Sequence, residues 1–238
     1  MADRYFVESP IVSDRAMLTA DEAHHLLHVM RAKAGQQATL FDGSGAEFLA
    51  RVERLGRSEV ELSVVERIER DCESGLELTL AVALPKGDRQ RWLVEKAVEL
   101  GARRLIPLET ARGVAQPVDK ALARLRRTVI EASKQCGRNR LLEVADSQPF
   151  AAYCQSVCRP DSLRILAHPA GEATLSEVLR DRPEICSLAA AIGPEGGWTD
   201  DELGLARAHD WQSVRLGPRV LRVETAALAI AAVVSGGF

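Results

Sequence analysis

The sequence predicts an α/β protein: a parallel sheet covered by helices over residues 75–238, preceded over residues 1–70 by a small β-barrel or folded sheet. Three observations predict it. From Leu76 onward, segments of alternating apolar residues take turns with segments of helical spacing. Before that point, short alternating segments are separated by turn residues. Two glycine-proline turns each follow a strand-like segment and lead into a helix-like one, as ligand loops do at the carboxyl edge of an open sheet.

Thr19 and Glu22 have the spacing of a capping box, so a helix is predicted over Asp21–Arg31, closed off by Gly35. Ala38–Phe41, Glu47–Val52 and Glu59–Val65 alternate as strands between the turn signals Asp42-Gly43, Gly45 and Gly56. The acidic, turn-rich segment Glu66–Gly75 is the expected boundary. Beyond it Leu76, Leu78, Leu80, Val82 and Leu84 alternate strictly, and Asp88–Leu100 places Trp92, Val94, Ala97, Val98 and Leu100 near helical spacing before Gly101. A strand at Leu105–Leu108, a long basic helix from about Lys120 to Cys136, and strands at Leu141–Val144 and Leu163–Ala167 follow. A helix over Leu175–Arg180, a strand at Ser187–Ile192, a helix from Thr199, a strand at Ser213–Leu216 and a last helix from about Glu224 complete the alternation.

With 46% apolar and 27% charged residues in 238, the chain lies in the ordinary globular range, which disfavours disorder and collagen-like repeats. Its longest late apolar run, Ala226–Val234, is far short of the roughly 20 residues a bilayer span requires, and charges stud the first thirty residues. The expectation is a protein without signal peptide or membrane span. An odd number of cysteines, Cys72, Cys136, Cys154, Cys158 and Cys186, fits a reducing cytoplasm better than a disulfide framework. The net charge is −3, yet Lys120, Arg124, Arg126, Arg127, Lys134, Arg138 and Arg140 oppose Glu131 alone, a local +6. That stretch reads either as a solvated helix face or as a polyanion contact, since phosphate affinity follows local charge.

The sharpest motif is Ala191-Ile192-Gly193-Pro194-Glu195-Gly196-Gly197-Trp198, followed by a capping box at Thr199 and Glu202. It reads either as a tight turn with no ligand or as a backbone cradle for one. The second turn, Leu216-Gly217-Pro218-Arg219-Val220-Leu221-Arg222-Val223-Glu224-Thr225-Ala226, carries charge where the first carries glycine, and the two together frame a candidate pocket. The alanine-rich helix after it is either buried or packed against an identical subunit. No G-x-G-x-x-G, P-loop, H-E-x-x-H or paired C-x-x-C is present. His24, His25 and His28 have helical spacing but no carboxylate or cysteine partners, and Cys154 and Cys158 lack a second ligand pair, so no metal is expected.

Five blocks resemble, in order, the signatures of the bacterial small-subunit ribosomal RNA uridine-N3 methyltransferases. They are Leu84-Pro85-Lys86-Gly87, Glu95-Lys96-Ala97-Val98-Glu99-Leu100-Gly101, Glu131-Ala132-Ser133-Lys134-Gln135-Cys136-Gly137-Arg138-Asn139-Arg140, Ile192–Gly197 and Leu216–Ala226. The segment from His24-His25-Leu26 to Arg31 and Phe41-Asp42-Gly43 extend the resemblance nearly end to end; Val223 departs from it, a polar residue being common there. The resemblance implies a SPOUT-type methyltransferase domain with a deep trefoil knot, behind a PUA-like β-barrel, working as a cytoplasmic homodimer. Topology rules make knots rare, so periodicity does not supply this one.

The resemblance further implies an S-adenosyl-L-methionine site in three loops. The first holds Leu166, His168 and Pro169; the second Ile192, Gly193, Pro194, Gly196 and Gly197; the third Leu216, Gly217, Val220, Leu221, Arg222, Thr225 and Ala226. The reaction it implies is metal-free methylation of N3 of a decoding-region uridine in 16S rRNA of the assembled small subunit. Arg222 is then the first candidate to stabilise imidate charge at the uracil, followed by Arg138 and Arg219, while Glu195 is either a base or a turn residue. Arg4, His25, Arg31, Lys86, Arg138, Asn139 and Arg140 are the candidate RNA contacts. A non-catalytic ribosome-assembly factor and a ribose 2′-O-methyltransferase are the alternatives on the same fold.

Overall fold

A computed structural model describes residues 4–114, 119–156 and 161–236. Contacts divide the chain into two units: Met1–Cys72 with Ser133–Leu141, and Glu73–Ala132 with Leu142–Phe238.

The first unit contains β1 (Arg4–Phe6), β2 (Arg15–Leu18), α1 (Ala20–His24), β3 (Gln37–Phe41), β4 (Ala46–Leu55) and β5 (Val60–Glu69). They form a five-stranded sheet in the order β1-β3-β4-β5-β2, antiparallel except for the β1–β3 pair. Alternation sets the buried face: Phe48, Ala50 and Val52 of β4 and Val60 and Leu62 of β5 pack with Tyr5, Leu18, Leu26 and Leu40. The acidic segment expected as a boundary is strand as far as Glu69, because β4 runs long enough to pair with it to the end.

The first helix also departs from expectation. α1 is a single short turn, continued by a π-helical turn over His25–Val29, and Thr19 makes no side-chain cap bond. Ala20 sits at φ +47°, and the Glu22 carboxylate accepts from Lys134 Nζ at 2.9 Å instead of reaching back to Thr19. Lys134 belongs to the returning segment Ser133–Leu141, which docks here: Arg4 Nη2 donates to Asn139 Oδ1 at 2.7 Å, and Ser44 forms a β-bridge with Arg140. Gly43, at φ +85°, would place a Cβ 3.4 Å from the Leu141 side chain.

The second unit contains β6 (Glu77–Val82), α2 (Arg89–Glu99), β7 (Arg104–Glu109), α3 (Asp119–Cys136, its last turn in the first unit), β8 (Glu143–Val144), β9 (Gln148–Pro149) and α4 (Phe150–Cys154). It continues with β10 (Ser162–Ala167), β11 (Ala173–Thr174), α5 (Leu175–Arg180), β12 (Ser187–Ile192), α6 (Asp200–Ala208), β13 (Gln212–Arg215) and α7 (Val223–Ser235). The sheet order is β11-β13-β10-β12-β6-β7-β8, with β9 also beside β7, and every pair is parallel. Successive residues of the central strands are buried, Leu80, Ala81 and Val82 in β6 and Leu188 through Ile192 in β12, as a sheet covered on both faces requires.

On α2 the inward face is Leu93, Val94, Ala97 and Val98, which leaves Trp92 half exposed rather than in the core. The strand expected at Leu141–Val144 shrinks to β8, since Leu141 belongs to the first unit. α4 ends at Cys154, and Cys158 lies outside the described residues.

Candidate active site

β13, β10 and β12 are neighbours, and Ala167 at the end of β10 pairs in register with Ile192 on one side and Val214 on the other. Their three exits therefore open at one level of the carboxyl edge. His168-Pro169, the Gly193–Trp198 turn and the stretch from Leu216 to Leu221 line a cleft of about 370 Å³, closed by Arg112, Val223 and Ala226. Val223, the departure from the family pattern, is buried in its wall.

Packing fixes the second loop. Trp198 Nε1 donates to the Ala167 carbonyl at 3.2 Å, and its ring lies 4.6 Å from that of Phe150. Gly193 must lack a side chain because a Cβ there would stand 2.8 Å from the Trp198 indole. Gly197 takes φ +71° and donates its N–H to the Pro194 carbonyl at 2.9 Å, closing the turn. The capping box at Thr199 and Glu202 forms as expected, with Thr199 N–H donating to Glu202 Oε2 at 2.8 Å and Glu202 N–H to Thr199 Oγ1 at 3.2 Å. The other Glu202 oxygen accepts from Ala111 N–H at 2.9 Å, and Arg112 Nη1 donates to the Gly196 carbonyl at 3.0 Å. The chain after β7 thus braces the glycine loop, a role that no local pattern around Arg112 announces.

The charges at the site are close-set. Arg89, the first residue of α2, puts Nη1 3.4 Å from Glu195 Oε1 and 3.6 Å from Glu224 Oε1. Glu195 lines the cleft; Glu224, in the first turn of α7, is 5% exposed, and its Oε2 has no hydrogen-bond donor among the described residues. No group of three or more His, Cys, Asp or Glu among the described residues could hold a metal ion.

The family model described as an RNA methyltransferase domain matches residues 72–235, and one described as an RNA methyltransferase PUA domain matches residues 18–65. Ribosomal RNA small subunit methyltransferase E of Synechocystis sp. is 34% identical over 217 residues, covering 91% of this chain and 71% of that protein. The chain belongs to the ribosomal RNA small subunit methyltransferase E family. The Bacillus subtilis member is 30% identical over 241 residues, 94% of this chain and 93% of that protein. The crystal structure of the Neisseria gonorrhoeae member bound to S-adenosyl methionine matches with a TM-score of 0.89 at 29% identity, over 98% of this chain and 96% of that one. The two sheets described above are thus the SPOUT-type parallel sheet and the PUA-like N-terminal sheet of a methyltransferase E family protein.

Of the residues marked for the cofactor, all but three line the cleft of this family member. Leu166 is buried inside β10, while Arg222, the N-cap residue of α7, and Thr225 are exposed outside it. Glu195 and Arg219 line the cleft; Arg138 is buried in the first unit. Among the candidate RNA contacts, Arg4 pairs with Glu47 and Asn139, and Asn139 is buried. His25 is half-buried with its ring 5.9 Å from that of Tyr5, whereas Arg31, Lys86 and Arg140 are exposed. The basic stretch likewise divides: Arg126 donates to the Val144 carbonyl and pairs with Asp146, and Lys134 pairs with Glu22, but Lys120, Arg124, Arg127 and Arg140 face solvent. Arg89, Arg112 and Trp198 are site residues that the sequence reading did not assign.

Proposed function

We propose that this chain transfers the methyl group of S-adenosyl-L-methionine to N3 of a uridine in the decoding region of 16S rRNA, acting on the small ribosomal subunit as a cytoplasmic homodimer. The observation that carries the reading is the cleft at three adjoining strand ends, in a chain whose relatives are named as small-subunit rRNA methyltransferases. Its volume of about 370 Å³ lies within the usual range for small-ligand sites.

The residues fit that cofactor. Val220, Leu221 and Ala226 offer apolar contact for an adenine, and the backbone at Gly197 and Gly217, where a Cβ would meet nothing within 4 Å, lets polar ligand edges approach closely. When bound, the cofactor supplies an electrophilic methyl group on a positively charged sulfur. Uridine N3 carries a proton at neutral pH, so the protein must offset imidate charge at about 1.4 kcal/mol per pKa unit bridged. Arg222, exposed at the N-terminus of α7, is our first candidate for this, followed by Arg219 in the cleft wall. Glu195 in the same wall is the candidate proton acceptor.

Arg31, Lys86 and Arg140 are exposed and suited to gripping RNA phosphates, with His25 beside them in role; Arg4 and Asn139 shape the surface from within. Thr225, Leu228, Ala229, Ala232 and Val233 form a face of α7 that the described residues leave exposed or half-buried, and a second copy would cover it. Deleting the gene and digesting 16S rRNA to nucleosides tests the proposal. Loss of 3-methyluridine, restored by the wild-type chain, supports it; an unchanged nucleoside profile overturns it.

A further inference from the structure

We infer that Arg89 is a positioning residue that ties the glycine loop to the first turn of α7 and so sets the shape of the cleft; the inference rests on the proposed use of that cleft for S-adenosyl-L-methionine. A cation at the first position of a helix is opposed by the helix dipole, and apart from the N-cap residue Asp88, whose side chain makes no cap bond, the first turn of α2 carries no acidic residue to offset it. The carboxylates nearest to Arg89 come from outside the helix. Its guanidinium lies between a loop carboxylate and a buried one, 3.4 Å from Glu195 and 3.6 Å from Glu224. Gln90 Nε2 donates to the Pro85 carbonyl at 2.7 Å, which anchors the start of the helix from behind.

Both partners are next to cleft wall. Glu195 lines it directly, and Glu224 stands between Val223 and Ala226, which line it too. Take Arg89 away and two carboxylates share the space, one of them nine-tenths buried with an oxygen that already lacks a donor. A buried carboxylate without a cation is costly, so the side that can move must move. That side is Glu195, whose side chain is 43% exposed and lines the cleft, so its swing changes the cleft wall.

The test measures S-adenosyl-L-methionine affinity by calorimetry, Tm, and KM for small subunits, on the full chain. Arg89→Ala should weaken cofactor binding about three- to tenfold, the low end of coupling energies because the guanidinium is partly exposed. The KM for small subunits should hold. Arg89→Lys should restore part of the loss, and Arg89→Ala/Glu224→Gln should restore part as well, since it removes the second charge. Arg91→Ala, exposed on the same helix, should bind as wild type. Unchanged affinity in Arg89→Ala overturns the inference, as does a loss that follows Tm and is relieved by neither companion variant. Wild type that binds no cofactor overturns the proposed function itself.

Discussion

Trp198 and Ala167 are joined by a hydrogen bond of 3.2 Å from the indole nitrogen to the backbone carbonyl, so the glycine loop is fastened to the end of the neighbouring strand rather than to its own. Gly193 lies beneath the same ring, where no Cβ fits. Gly193→Ala must push the indole aside. It should cost about 1–3 kcal/mol of stability by overpacking and weaken cofactor binding at least tenfold. Trp198→Phe keeps an aromatic ring and loses the bond, so it should cost about 1 kcal/mol with a smaller effect on binding. Denaturant unfolding and calorimetry on the two variants check the order.

Strength in the first unit depends on a segment more than a hundred residues away in sequence. Glu22 and Lys134 pair at 2.9 Å with side chains only 15% and 16% exposed. Glu22→Ala takes the carboxylate from a largely buried ammonium and should cost about 1–2 kcal/mol, less than a fully buried pair because some water reaches both groups. Cofactor affinity should not change. A denaturant midpoint identical to wild type would contradict this docking.

Asp42 gives the same unit a pH dependence. Burial raises its carboxyl pKa, but the Ser44 side chain and the N–H groups of Ile11 and Ser44, at 2.8 and 3.0 Å, outweigh that and hold it below the ordinary carboxylate value. A depressed folded value means that ionised Asp42 stabilises the fold above the unfolded value and that this is lost as pH falls through the folded one. Asp42→Asn exchanges one acceptor oxygen for a donor facing an N–H. It should cost about 1 kcal/mol near neutrality, discounted for partial exposure, and the gap to wild type should narrow in acid. Tm measured against pH for both proteins shows whether it does.

Thiol reactivity should separate the described cysteines. Cys72, Cys136 and Cys186 are exposed, whereas Cys154 is fully buried and burial pushes its thiol pKa up. Reaction goes through the thiolate, so alkylation of the native protein at neutral pH should spare Cys154 until it unfolds. Peptide mapping after timed labelling reads this out, and equal rates at all four sites would contradict it.

Three Thr-x-x-Glu spacings show what sequence can and cannot supply. Thr174 with Glu177 and Thr199 with Glu202 form capping boxes, and the helix at Leu175–Arg180 matches its expected span. Thr19 with Glu22 has the same spacing and forms none, because Lys134 claims the glutamate. Local signals suffice where local bonds decide, as in those two capping boxes and the turn closed by Gly197 and Pro194, and where a run of buried apolar residues spans a whole strand, as in Ser187–Ile192. They fail where a distant segment decides. β1 and β2 are three and four residues long and exist through their pairing with β3 and β5, which no short pattern reveals. The placing of β10 between the later strands β12 and β13 is likewise a property of the whole chain. The cleft loops are visible in the sequence as glycine and proline; the braces behind them, Arg89 and Arg112, are not, since each lies outside those motifs and meets them only through folding.

The most direct measurement is transfer of labelled methyl from S-adenosyl-L-methionine to small subunits lacking the modification, with nucleoside analysis of the product and Arg222→Ala run in parallel. The expected result is 3-methyluridine with wild type and at least a hundredfold slower transfer with a folded, cofactor-binding Arg222→Ala, the scale of removing a group that stabilises transition-state charge. Label on ribose, or none on the subunit, would contradict uridine-N3 methylation by this chain.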